Sequence, residues 1–388
     1  MKTSGETLVL NPGRDLRLDS LRGLMLVTMT VNHLPTFMRA VTDGGLGIMA
    51  SAEGFVFISG LLMGIVYTRR LRRDGPAGLR RAVLHRAEMI WTWQIGAFMA
   101  ALAAVQLTCW FTGFCSWSNP PLFYSNPWLA ALLGSVMLYQ PGLIDILPMY
   151  CAFVLLLPFV LHALEEGRYK RVLAWSLLSW FVVQWIPPVD GAPLYPIHVG
   201  SFNIFAWQFL FVIGVAIGHT RITPSGPQIR FRPAYLAAAA AMAVYGWCVQ
   251  HLQWRPPGCP DWLFGILLNK PNLGVLRLVD FGAVAFLVGA LGLRFPALVT
   301  WRPLALLGQH SLVVFAAQSV GVMIILNFSP LFATPLRDCL TTAAMIGFLF
   351  AAAAAHREYA RRRKAAETFP PRHAPVLPLS RRHDVHAA

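Results

Sequence analysis

The chain returns repeatedly to apolar stretches about 20 residues long, separated by short polar and often basic connections. A helix rises ~1.5 Å per residue, so such a stretch matches the ~30 Å hydrocarbon core of a bilayer. Ten can be drawn, at roughly 21–41, 48–68, 88–108, 143–164, 171–187, 202–219, 233–251, 273–293, 304–326 and 338–355. They predict an all-α, polytopic integral membrane protein with about ten transmembrane helices. Composition agrees: 56% of residues are hydrophobic and 13% charged, where soluble domains carry about 25% charged residues. WLAALLGSVML, at 128–138, is too short to cross alone and reads as a re-entrant or interfacial helix.

Three segments follow. Residues 1–20 form a polar N-terminal segment, 21–355 the transmembrane domain, and 356–388 a basic tail expected to be disordered. The first apolar run lacks a small-x-small site after it, so it reads as a retained anchor. The net charge of +15 is concentrated in particular connections. Arg14, Arg17 and Arg22 open the chain, and seven arginines lie between Arg69 and Arg86. Further clusters fall at 168–171, 221–232, 294–302 and 357–364. With ten spans these all face one side. On the other side 109–127 carries no charge and 188–201 only Asp190, with Arg255, Lys270 and Arg337 as exceptions. The positive-inside rule puts both termini in the cytoplasm, with membrane lipids as partners. Nucleic acid is excluded as a partner, since no binding motif is present.

Cys109, Cys115, Cys248 and Cys259 lie on or near the sparse side. A bacterial periplasm there would permit a disulfide. Cys109–Cys115, Cys115–Cys259 and free thiols are all compatible with the sequence. No spacing resembles a metal site.

Ionisable groups inside spans are costly, so each needs a partner or a task. His33 lies about 12 residues into the first span, ~18 Å from its inner end. Glu53 lies in the second, ~22 Å from the inner end. Equal depth on adjacent antiparallel helices predicts a His33–Glu53 hydrogen bond. Such a carboxylate would fix the imidazole tautomer and let the other nitrogen act as a general base. The alternative is a buried pair that merely locks two helices. His310, ~10 Å deep from the inner side, is a candidate donor contact or a helix–helix hydrogen bond with Gln309 or Ser311. Arg277 and Asp280, three apart on one helix, can pair locally or contact an acceptor. Asp145, before Pro148, either starts a helix or binds sugar hydroxyls. Arg86, beside His85, suits a pyrophosphate-bearing donor; topology and headgroup binding also account for its basic stretch. Outer aromatics such as Trp110, Trp117 and Trp128 read as an interfacial belt or as sugar-stacking rings.

RDLRLDSLRGLMLVTMTVNH followed by AEGFVFISGLLMGIVY resembles the opening of the OpgC family, itself similar to the acyltransferase-3 group. LIDILPMYCAFVLLLPFVL and LGQHSLVVFAAQ resemble later OpgC segments in the same order. The resemblance implies ten-span acyl transfer across the bacterial inner membrane. It implies acyl-CoA, specifically succinyl-CoA, as co-substrate and the hydroxyls of a periplasmic glucan or polysaccharide as acceptor. The first-span histidine of the related acyltransferases is matched by His33, and their third-span arginine pattern is matched loosely by Arg86 within LHRAEMIWTW.

The resulting expectation is a membrane O-acyltransferase without a permanently bound cofactor or metal. His33 and Glu53 are the catalytic pair, Arg86 and His310 bind the donor, and Asp145, Arg277 and Asp280 shape the acceptor site. The alternative is a transporter or flippase with a mid-membrane His–Glu proton relay.

Overall fold

The computed structural model describes residues 15–115, 120–185, 200–223, 226 and 229–368. Most of the expected N-terminal segment, with Arg14, lies outside these residues, as do Trp117, Asp190 and the tail from 369. The described chain is all-helical.

The first helix, α1 (Leu16–His33), starts where Asp15 caps the Arg17 N–H. It ends eight residues before the predicted 41 because Pro35 follows. The proline forces Leu34 into extended backbone (φ −89°, ψ 148°). His33 is therefore in the last turn of its helix, ~26 Å above Leu16, rather than midway along a span.

The second and third predicted spans form one long element, α2 (Ser51–Thr112), broken at Gly75–Pro76. Pro76 cannot donate to the helix, and Gly75 takes the left-handed φ of 69° that a side chain would resist. A straight helix of 62 residues would extend ~93 Å. Ala50–Ala52 at its start and Pro120 beyond its end line one cavity, so the chain doubles back at the break.

The remaining described helices of eight or more residues are α3 (Pro127–Ser135), α4 (Ile146–Glu165), α5 (Tyr169–Val183), α6 (Ile204–Ile222), α7 (Pro233–Leu252), α8 (Asp261–Leu268), α9 (Val275–Arg294), α10 (Arg302–Gln309), α11 (Ser311–Ile325) and α12 (Pro335–Thr368). Helix α3 is the short element read at 128–138. Helix α12 runs past the expected domain end at 355, so residues 356–368 are helical and not part of a disordered tail. Among the described residues, α2, α4, α6, α9 and α12 are each long and apolar enough to cross a membrane. The α10–α11 pair adds a sixth crossing if its 87° bend lies within one span.

The first arm of α2 packs on α6 through reciprocal glycines. A Cβ on Gly60 would sit 2.2 Å from the Phe211 carbonyl oxygen, and one on Gly214 2.3 Å from that of Phe57. Gly64 and Gly218 repeat the contact one turn on. Small residues four apart on both helices let the backbones touch, which is how helices associate where apolar burial gains little. Phe153 of α4 stacks on Phe211 of α6 at 5.3 Å, so the interface continues into the core.

One end of the bundle is rich in arginine. Arg72, beside the break in α2, donates to Glu165 (2.8 Å) and to the Ile222 carbonyl (3.1 Å), tying down the ends of α4 and α6. The opposite end gathers the C-terminus of α1, both ends of α2 and the N-termini of α4 and α6. Cys109 and Cys115 are disulfide-bonded at this end, and Cys259 is free.

Candidate active site

A cavity of about 770 Å³ opens at the end opposite the arginines. His33, Asn32, Arg39, Ser51, Asp145 and Lys270 supply its main polar lining, with Tyr139 and Phe202 among the rings. His33 and Asp145 thus line the same cavity. Arg86, His310, Arg277, Asp280 and Glu53 do not line it.

The His33–Glu53 hydrogen bond does not form. Glu53 is fully buried, and both its oxygens are occupied elsewhere. Its Oε1 accepts from Arg277 Nε, and its Oε2 accepts from the Ala50 N–H at 3.1 Å. The physical reason is competition: a buried guanidinium attracts a carboxylate more strongly than a neutral imidazole does. Glu53 is also the third residue of α2, where a glutamate reaches back to cap the preceding amide.

The expected Arg277–Asp280 pair is likewise replaced. Asp280 Oδ2 accepts from the Ile48 and Met49 N–H groups at 2.8 and 3.0 Å. Glu53, Arg277 and Asp280 form a buried frame that holds 48–52, the cavity's rim. The first turn of α2, with its partial positive charge, opens there through Ser51 and Ala52.

His33 finds a different companion. Its Nδ1 lies 3.1 Å from Gln318 Nε2 of α11. With the amide in this orientation it donates to Nδ1, while Gln318 Oε1 is buried without a partner among the described residues. Turning the amide over places Oε1 on Nδ1–H and leaves the imidazole Nε2 unprotonated. Gln318 was missed because only ionisable groups were sought within spans. The signal is one uncharged amide in the apolar run SLVVFAAQSVG.

The other polar groups are held in place. Asp145 Oδ2 accepts from the Ser201 N–H at 2.9 Å. Asn32 accepts from Thr42, and Ser51 Oγ lies 2.6 Å from Thr28 Oγ1. Arg39 and Lys270, which sequence reasoning did not place in the site, both act electrostatically on His33. Arg39 is offset by Asp43 at 3.3 Å.

Arg86 and His310 occupy a separate flank. Arg86 Nη1 lies 3.5 Å from Met89 Sδ. His310, at the break between α10 and α11, has Nδ1 2.8 Å from His356 Nδ1. The ring of Trp93, two turns along from Arg86, packs edge-on against His356 at 6.3 Å. Helix α12 thus supplies a partner for His310 from outside its own helix.

A family model described as OpgC protein matches residues 14–361, nearly the whole chain. No curated protein and no solved structure matches it. The chain belongs to the OpgC family.

Proposed function

We propose that the protein moves an acyl group from cytoplasmic acyl-CoA to a hydroxyl of a periplasmic glucan, with His33 as general base. Family membership implies a glucan-modifying O-acyltransferase. The observation that carries the residue-level reading is His33 on a large polar cavity, with one ring nitrogen tied to Gln318.

The chemistry follows from that arrangement. Gln318 accepts Nδ1–H, and Nε2 takes the proton of the glucan hydroxyl as its oxygen attacks the thioester carbonyl. The C–S bond breaks, an ester forms, and the imidazolium returns its proton to the departing thiolate. Asp145 accepts hydrogen bonds from the sugar. Arg86 and His310, on the flank with Trp93 and His356, meet the donor. Glu53, Arg277 and Asp280 act through the rim they hold and do not contact substrate. Succinyl-CoA is the donor.

The topology supports this reading. In this reading α1, both arms of α2, α4, α5, α6, α7, α9, α10–α11 taken as one span, and α12 make ten crossings of the bacterial inner membrane, of which the long apolar helices account for five or six. The arginine-rich end then faces the cytoplasm. The disulfide and the cavity face the oxidising periplasm, where the glucan is.

The test compares His33→Ala with the unmutated chain at equal expression, by mass spectrometry of periplasmic glucans and transfer of radiolabelled acyl-CoA. Removing a general base costs roughly 10²–10⁴ in rate, so acylation should fall to about 1% or less. Normal acylation by the mutant overturns the assignment. The 87° break at His310 is what a transporter reading would use; label crossing the membrane without joining glucan would favour it.

A further inference from the structure

The turn between α8 and α9, residues 269–274, is held far more tightly than a surface connection needs. Two buried tryptophans donate to it: Trp207 Nε1 to the Pro271 carbonyl at 3.0 Å, and Trp180 Nε1 to that of Leu273 at 2.9 Å. Asn203 N–H also donates to Pro271 O at 3.0 Å, and Gln184 Nε2 to Asn272 O at 2.7 Å. The Asn272 side chain bridges Asn203 and the Val183 carbonyl at 3.1 and 3.2 Å. Leu273 is held fully buried at φ 53°, a left-handed conformation a leucine adopts only when its surroundings impose it.

This turn presents Lys270 and Pro271 to the cavity. Trp207 Nε1 also reaches the Lys270 carbonyl at 3.3 Å, fixing the backbone from which the lysine extends. The ammonium lies 6.0 Å from the Phe202 ring, another wall of the same cavity. Among the described residues no carboxylate forms an ion pair with it. The other cavity cation, Arg39, already has Asp43, and Asp145 is turned onto the Ser201 amide. Among the described residues the cavity therefore holds one uncompensated cation, mounted on a fixed turn in the same lining as His33.

We propose that Lys270 is a specificity-determining residue that receives a carboxylate at the far end of the acyl group while its carbonyl stands at His33. This rests on the acyl-transfer reading above. A neutral glucan offers no counter-charge to a mounted cation; an acyl chain ending in a carboxylate does. The lysine then favours dicarboxylic acyl groups over neutral ones of equal length, because a neutral chain leaves the ammonium without a partner.

The test uses the full-length protein in proteoliposomes with a neutral glucan and competing labelled succinyl-CoA and butyryl-CoA. The readout is the succinyl-to-butyryl transfer ratio in the unmutated chain, Lys270→Met and Lys270→Arg. The expected outcome is a ratio about 10- to 100-fold lower for Lys270→Met, the worth of one charge-assisted hydrogen bond, and largely restored for Lys270→Arg. An unchanged ratio in Lys270→Met overturns the proposal. A ratio is insensitive to the amount of folded protein. Failure of the unmutated chain to transfer either group sinks the acyltransferase reading and this proposal with it; transfer of both with an insensitive ratio sinks this proposal alone.

Discussion

The buried Glu53–Arg277 pair allows a direct test of which residue Glu53 serves. Glu53 is fully buried and Arg277 is 8% exposed. Arg277→Met removes the guanidinium and leaves a carboxylate with only the Ala50 amide for company. Breaking a buried pair from one side costs about 3–5 kcal/mol, a large part of the roughly 5–15 kcal/mol that holds a fold together. Glu53→Gln/Arg277→Met removes both charges and keeps an oxygen for the Ala50 amide, so it should cost about 1 kcal/mol or less, the scale of a single neutral hydrogen bond. The double-mutant cycle should then show a coupling of at least ~2 kcal/mol. A parallel cycle of Glu53→Gln with His33→Ala should be additive within about 0.5 kcal/mol, since the two side chains share no hydrogen bond. The assay is reversible unfolding in mixed micelles, followed by tryptophan fluorescence. Strong coupling of Glu53 to His33, with additivity between Glu53 and Arg277, would refute the geometry and restore the base–carboxylate dyad.

Other outcomes follow from single contacts. Gly214→Ala places a methyl group 2.3 Å from the Phe57 carbonyl oxygen and should lower stability by roughly 1–3 kcal/mol, as overpacking does. Gly282→Ala, whose Cβ meets nothing within 4 Å, should leave the melting temperature unchanged; equal effects would remove the close-packing argument. At Asp15, burial alone would raise the carboxyl, but the hydrogen bonds and charge of Arg17 outweigh it and hold it below the usual carboxylate range. A depressed value means its stabilising contribution is complete above the unfolded value near 3.8 and lost as pH falls through the folded one. Asp15→Asn should therefore lower stability at neutral pH and flatten its acid-side decline; an unaltered decline would argue against the pair.

The membrane class and most helix positions were legible in the chain because they depend on local quantities. Apolar length, a proline at 35 and a Gly-Pro at 75–76 act on the residues beside them. Reading the first span through to 41 overlooked one such local signal, the restriction that Pro35 imposes on Leu34. His33 was legible as an imidazole that needed a task, and Asp145 reached the same cavity. Its companions were not legible, since hydrogen-bond partners are settled by competition among groups distant in sequence. Glu53 took an arginine 224 positions away, and His33 a glutamine 285 positions away. Lys270 looked only like an exception to the charge rule until the turn that mounts it was seen beside the cavity. Apolar length alone was enough to call for membrane-crossing helices, because each run answers to the bilayer and not to its neighbours. Tertiary structure decided which polar groups meet, because that depends on how the runs pack and on which buried donor outbids the rest.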